Sequence, residues 1–345
     1  MTRIRLLLAR AALVAGFATA LFPAQEGKRE PDPALLAAQR AVADVTAQIS
    51  SPVDSLAEAR SLVEGNRFTE AESLVRRYLD THRTSADGHY LLGYVLFKQR
   101  KAKESLAEYT EAAQYRKPTA AELEAVAGDY VLLHDYPDAD KWFSLAVEWD
   151  PASFQARYLL ARAKYAENRF DEAVAAFLEC LKLDPRSVKA EDNLGLSYEG
   201  LDKTEEALAA YRQAILWEGL EGKDANPYID LGALLVNTNQ VSEAIEPLLK
   251  AAELAPGEMR AHRELGKAYA HLGHLEKAQR EFEKTVELAP DVASPHYLLA
   301  QVYRKRGLAQ KAQAESDRYR ELTSTHSSDN ETGMAGQKKE DRQEH

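Results

Sequence analysis

The chain has 345 residues, with 44 Lys and Arg against 55 Asp and Glu, and a net charge of −11. That balance argues against nucleic acid or an anionic membrane surface as the main partner, because both select basic proteins. The length is large for one globular core, so two domains or a repeat array are the alternatives, and the single cysteine, Cys180, rules out an intramolecular disulfide in either.

In chain order, the first element is an apolar stretch from Ala11 to Phe22, preceded by Arg3, Arg5 and Arg10. It is shorter than the roughly 20 apolar residues of a comfortable membrane helix. Ala18-Thr19-Ala20, with Pro23 close behind, has the small-x-small form of a cleavage site. Residues 1–20 therefore read as a secretory signal peptide, with an uncleaved membrane anchor as the rival. The protein is then periplasmic or secreted, and in the alternative tethered to a membrane through this segment alone. No two arginines are adjacent, which argues against a twin-arginine signal, and no cysteine lies near the cleavage site to carry a lipid. Without the three arginines the mature chain stands at about −14.

Residues 21–51 form a linker and an amphipathic helix. Asp32-Pro33 reads as a helix start, and Leu35, Ala38, Val42, Val45 and Ile49 recur at spacings of three and four. About two heptads are too few for a coiled coil, so this helix is expected to pack on the next helices of the chain rather than to self-associate.

From Ser55 to Leu322 the apolar spacing is helical throughout, and no stretch alternates with strand period. The segment is also self-similar. A small residue recurs at Ala71, Ser105, Ala139, Ala173, Ala207, Ala244, Ala278 and Ala312, in steps of 34, 34, 34, 34, 37, 34 and 34 residues. Upstream lie apolar-small pairs, among them Leu92-Gly93, Val126-Ala127, Leu194-Gly195, Leu231-Gly232 and Leu265-Gly266. Four residues after the small column comes a large side chain: Tyr109, Phe143, Phe177, Tyr211, Leu248 or Phe282. Pro151, Pro185, Pro256 and Pro290 close their units. In this register the sequence resembles the tetratricopeptide repeat family, whose period and Leu-Gly, Tyr, Ala, Phe and Pro pattern are best matched from Leu265-Gly266 through Tyr269, Gly273, Ala278 and Phe282 to Pro290.

The resemblance implies an all-α fold, a right-handed α-α superhelical solenoid of about eight units across residues 52–322. The units start near 52, 86, 120, 154, 188, 225, 259 and 293. Each is two antiparallel helices. The small columns sit where the helices cross closely, the large side chains fill the space beside them, and proline ends the unit because it cannot donate the next helical hydrogen bond. The 37-residue step falls on Trp217 to Ala225, with Gly219 and Gly222, and reads as a lengthened loop or as a kink dividing five units from three. Residues 323–345 carry almost no apolar side chains and read as a disordered polar tail.

No Gly-rich phosphate loop, dinucleotide fingerprint or Gly-x-Ser-x-Gly elbow is present. Cys180 stands in a column held mostly by alanine and reads as packing. His271 and His274, with His262 upstream, fall at a helical turn and read as polar turn residues rather than a metal site. The chain is therefore expected to be no enzyme and to need no cofactor or metal.

In the family the first helix of each unit lines the concave face, where peptides or partner helices dock. The resemblance thus nominates Tyr90, Tyr94, Phe97, Tyr158, Arg162 and Tyr165, then Arg260, Arg263, Lys267, His271, Tyr297, Arg304 and Lys305. The groove is expected to be aromatic in its first half and basic near its end. Tyr and Arg suit interface anchors, and a basic end suits acidic segments or a free carboxylate. The plainer alternative is that the tyrosines pack and the arginines are solvated. The clamp by which some tetratricopeptide co-chaperones hold a C-terminal Glu-Glu-Val-Asp is not found, since Leu298 stands where its central asparagine is needed. The expected function is a scaffold binding a protein or peptide in the concave groove. The alternative is a structural component of an envelope assembly, associating through the convex face or the N-terminal helix.

Overall fold

The computed structural model describes residues 52–219 and 222–340, with side chains from 56 to 324. The signal segment, the amphipathic stretch from Leu35 to Ile49 and residues 341–345 lie outside the described residues. Among the described residues there are sixteen helices and no strand. They run α1 Pro52–Glu64, α2 Phe68–Thr81, α3 Ala86–Lys98, α4 Ala102–Ala113, α5 Ala120–Leu132, α6 Tyr136–Trp149, α7 Phe154–Ala166 and α8 Phe170–Leu183. They continue with α9 Val188–Gly200, α10 Thr204–Glu218, α11 Asn226–Asn237, α12 Val241–Leu254, α13 Met259–His271, α14 Leu275–Leu288, α15 Ala293–Lys305 and α16 Ala309–Glu340. Each odd-numbered helix packs on the even-numbered one after it, and each pair stacks on the next, which makes a solenoid.

The repeated columns are the packing contacts. Ala71, Ser105, Ala139, Ala173, Ala207, Ala244 and Ala278 have no exposed surface. The large column is equally buried, with Phe143, Phe177, Tyr211, Leu248 and Phe282 at 1 % exposure or less. Glycine on the first helix makes room for that side chain. A Cβ at Gly195 would lie 2.5 Å from the Tyr211 ring, one at Gly232 2.4 Å from Leu248, and one at Gly266 2.7 Å from Phe282.

The turn inside each unit has its own column. Asn66, Arg100, His134, Asn168, Asp202, Asn239, Gly273 and Gly307 all have positive φ, between 57° and 77°. Each lies two residues past the end of its first helix. An αL residue there reverses the chain at once, a conformation that Gly, Asn and Asp take most readily. Three unit starts are capped by hydroxyls: Ser85 accepts from the Gly88 N–H, Ser153 from Ala156, and Thr119 forms a capping box with Glu122.

A third pattern joins the two helices of a pair across 19 residues. His89 Nδ1 meets Glu108 at 2.7 Å, His262 meets Glu281 at 2.8 Å, and His296 meets Glu315 at 2.6 Å. The opposite ring nitrogen faces a carbonyl of the preceding turn, that of Arg83, Pro256 or Pro290. For His89, burial works against the charged ring. The Glu108 carboxylate and the Arg83 carbonyl outweigh it and raise the imidazole above its ordinary value.

At the 37-residue step, one cluster of buried side chains continues from Ala207, Leu208 and Tyr211 through Leu231, Leu235 and Leu248 to Leu265, Phe282 and Leu299. The apolar packing thus crosses the insertion without a break. Gly219 at φ 70° ends α10, and the Glu218 carboxylate accepts from the Asp224 N–H at 2.8 Å. The C-terminal end departs from its composition. Leu322 is the last buried residue described, yet the backbone stays helical to Glu340, where an unstructured tail was expected from Thr323. Helical hydrogen bonds are internal to the segment and need no apolar face to close.

Asp129 on α5 is fully buried. Neither of its carboxylate oxygens has a hydrogen-bond partner, nor has the nearby Tyr109 hydroxyl. Burial pushes the carboxyl up to about 7, while the nearby Ser105 hydroxyl donates to the Gly93 carbonyl at 2.8 Å. A carboxyl raised on folding stabilises fully below its unfolded value, and that contribution is lost as pH climbs through about 7. Asp129→Asn is therefore expected to gain on the parent between about pH 4 and pH 8, by up to about 4 kcal/mol at ~1.4 kcal/mol per pKa unit. Denaturation midpoints of both proteins across that range check this. Gly195→Ala is expected to cost about 1–3 kcal/mol, since the Tyr211 ring must shift to admit the methyl group; the same measurement reads it.

Candidate partner-binding groove

The contacts among helices settle which face is inner. Consecutive first helices touch one another from α1 through α13: α1 with α3, α3 with α5, α5 with α7, α7 with α9, α9 with α11 and α11 with α13. No comparable contact joins the second helices among the described residues. The odd-numbered helices are therefore the crowded inner layer, and their outward-turned side chains line the concave wall.

The nominated aromatics on this wall are largely part of the packing. Tyr90 is 4 % exposed, its hydroxyl donates to the Arg116 carbonyl at 2.8 Å, and the Arg116 guanidinium lies 4.1 Å from its ring centre. It is covered by the protein itself. Phe97 is half-buried, and its ring edge would sit 2.7 Å from a Cβ at Gly128. Tyr94 is half-buried beside it, under the Lys98 ammonium at 5.2 Å. Tyr158 is buried between Phe154, stacked at 6.0 Å, and the edge of Phe177 at 5.9 Å. Tyr165 is half-buried against Phe170 at 5.4 Å. Burial raises the hydroxyls of both Tyr158 and Tyr165.

These are the geometry and the columns of one known family. A model described as "Tetratricopeptide repeat" matches residues 56–121, 131–188 and 158–221, and a second model with the same description matches 259–292. The chain belongs to the tetratricopeptide repeat family. A curated relative is U-box domain-containing protein 70 of Oryza sativa subsp. japonica, 28 % identical over 168 residues, which are 47 % of this chain and 20 % of that protein. Among solved structures the chain is similar to the Cut9–Hcn1 hetero-tetramer of the APC/C (TM-score 0.55, 18 % identity, 86 % of this chain and 57 % of that one). It is also similar to yeast Tom70 (0.57, 15 %, covering 74 % and 55 %) and to pilF of Pseudomonas aeruginosa (0.51, 16 %, covering 60 % and 97 %). At these identities the likeness is one of fold. The chain spans about a fifth of the rice protein and little more than half of the Cut9 chain.

The basic end of this tetratricopeptide groove differs from expectation in charge. Arg260 is ion-paired with Asp230, a residue only 5 % exposed. Arg263 and Lys267 both donate to Glu264, at 2.9 and 3.0 Å, and Glu264 is 4 % exposed. Arg304 donates to the Ser316 hydroxyl at 3.0 Å and is exposed. Arg260, Arg263 and Lys267 thus have their countercharges on the same wall, one first helix back or within α13 itself. What stays open is a cleft of about 350 Å³ between α13 and α15, lined by Lys267, His271, Leu298, Gln301 and Lys305. Tyr297 is exposed and lies against Tyr319, the two rings tilted with centres 5.4 Å apart.

The residues that sequence reasoning missed are acidic. Asp192 on α9, Asp230 on α11 and Glu264 on α13 are buried on first helices, and Asp224 lies in the turn before α11. The signal was available: these carboxylates occupy inner-face positions one register step from the cations, where an apolar residue is the default. Among the described residues no group of three His, Cys, Asp or Glu is placed to hold a metal, and no helix is long and apolar enough to cross a membrane. Arg260→Ala leaves Asp230 buried without its countercharge and is expected to cost about 2–4 kcal/mol, reduced from a fully buried pair because the guanidinium is partly exposed. Arg263→Ala is expected to cost under about 1 kcal/mol, because Lys267 still neutralises Glu264. Thermal denaturation of the two variants side by side checks the ranking.

Proposed function

We propose that this tetratricopeptide repeat protein is a non-catalytic scaffold that binds an extended peptide or protein segment along its concave groove. The observation that carries the reading is the unbroken inner wall of first helices from α1 to α13. Arg162, Asn193 and Asp224 stand in its middle, and Lys305 stands at the cleft beyond Lys267. Arg162 and Lys305 are exposed and engaged in no ion pair among the described residues, so both have charge to offer a partner. The sole thiol offers little chemistry in support of catalysis: Cys180 is fully buried, and burial pushes it up to about 11. We further propose that residues 1–20 export the chain, so that its partner is met in the periplasm or outside the cell.

A second reading has one observation in its favour. A cleft of about 740 Å³ opens on the outer side between α10 and α12, lined by Ile215, Tyr228, Leu231, Leu235, Ile245 and Leu249. Leu249 is 47 % exposed, and Leu216 on α10 is 71 % exposed. Such a surface suits association through the convex face within an envelope assembly. Affinity capture from envelope extracts separates the two readings. With Arg162→Glu and Lys305→Glu combined, the captured partners are expected to be lost, while Leu216→Asp with Leu249→Asp keeps them. The reverse pattern overturns the groove and supports the outer face.

A further inference from the structure

Resting on the groove reading, we propose that the middle of the concave wall holds a subsite for a cationic side chain of the bound segment, an arginine or lysine, anchored by Asp192 with Asp224 beside it. Asp192 projects from α9, is 5 % exposed, and its Oδ1 accepts no hydrogen bond. The charges that act on it come from three directions. Asp230 on α11 and Asp224 in the preceding turn repel it, and Arg260 on α13 attracts it. Tyr158 on α7 also faces it. Arg260 is already paired with Asp230. Asp192 thus has two carboxylate neighbours and shares Arg260 with Asp230, while the Lys189 ammonium of its own helix lies over the Tyr158 ring at 4.7 Å.

Neighbouring donors do not make up the deficit. The Asn193 amide spends its hydrogens on the Tyr158 hydroxyl at 3.2 Å and the Lys189 carbonyl at 2.8 Å. Arg162 is exposed one helix away, and its charge acts on Tyr158 rather than on Asp192. A buried polar atom left without a partner is costly, so an acceptor of this kind on a binding wall marks a place where the missing donor comes from outside. Asp224 enters through the three extra residues between the fifth and sixth units. Its Oδ1 accepts from the Asn226 backbone N–H and side-chain amide, both at 2.9 Å. The long step in the repeat therefore supplies a carboxylate to the groove. The three aspartates do not converge as metal ligands, whereas a guanidinium or ammonium on a flexible stem reaches carboxylates that point from different helices.

Burial, reinforced by Asp230 and Asp224, pushes the Asp192 carboxyl up to about 8. Near neutral pH it keeps its proton, and an entering cation displaces that proton to the solvent. Binding therefore strengthens as pH rises through about 8 and releases a proton.

The test is calorimetric titration of the full chain with two capped octapeptides, one alternating Arg with Ala and one alternating Glu with Ala. The arginine peptide is expected to bind, about tenfold more tightly near pH 9 than near pH 7, with heats that scale with buffer ionisation. Asp192→Asn, close to isosteric and keeping the fold by circular dichroism, is expected to weaken it about tenfold at the higher pH and to abolish the pH dependence. Glu205→Gln removes the same charge from an exposed site on α10 and is expected to change little, which separates the notch from general attraction to an acidic protein. Equal losses in the two variants, unchanged binding in Asp192→Asn, or no saturable binding of the arginine peptide overturns the subsite. Each of those results leaves the groove itself to be judged by the capture experiment, whose outcome depends on Arg162 and Lys305 and not on Asp192.

Discussion

Everything in this molecule hangs on one contact, repeated along the chain: a residue with little or no side chain on the first helix of a unit faces a large one on the second. At Gly195 and Tyr211, at Gly232 and Leu248, and at Gly266 and Phe282, the space that a methyl group would take is already filled. The contact fixes how closely two helices approach. Repeated along the chain, with each pair stacked on the next, it makes a solenoid. The proteins to which this chain is similar share that arrangement at 15–18 % identity. Such a fold asks for size and apolarity at a few columns and leaves the other positions free.

The freed positions on the inner wall carry the polarity of the groove. Here the electrostatics are mostly settled inside the wall: Arg260 by Asp230, and Arg263 and Lys267 by Glu264. The Arg260–Asp230 pair joins two neighbouring units, whereas the Glu264 pairs lie within α13. The exceptions stand out against that background. Asp192 has carboxylate neighbours and no donor of its own, and the cleft between α13 and α15 keeps His271 and Lys305 open. In the proposed binding mode, the acidic notch in the middle of the groove and the cationic cleft toward its end select a ligand by the order of its charges.

The fold was legible in the sequence because its cause is periodic. A small column over eight units, a large column over six and a closing proline in four, all in one register, leave one architecture. The site was legible only in outline. The inner helices could be named from the register, but Tyr90 and Tyr158 are packing residues, and composition does not separate a tyrosine whose hydroxyl caps a turn from one that meets a partner. The αL column from Asn66 to Gly307 does not show as a motif because Asn, Arg, His, Asp and Gly all occupy it, the shared property being a backbone angle. The His–Glu pairs of 19-residue spacing are hidden for a different reason. They join side chains that are neighbours only after the hairpin closes.

By itself the amino-acid sequence determined the period, the helical class and the columns that set helix approach, because each depends on side-chain volume at a fixed offset along one chain. Only the tertiary structure decided which charges remain free. Neutralisation of Arg260 by Asp230 spans 30 residues. The isolation of Asp192 depends on what α7, α11 and α13 bring beside it. Coulomb energy follows distance and burial rather than residue type, and both are products of the completed stack.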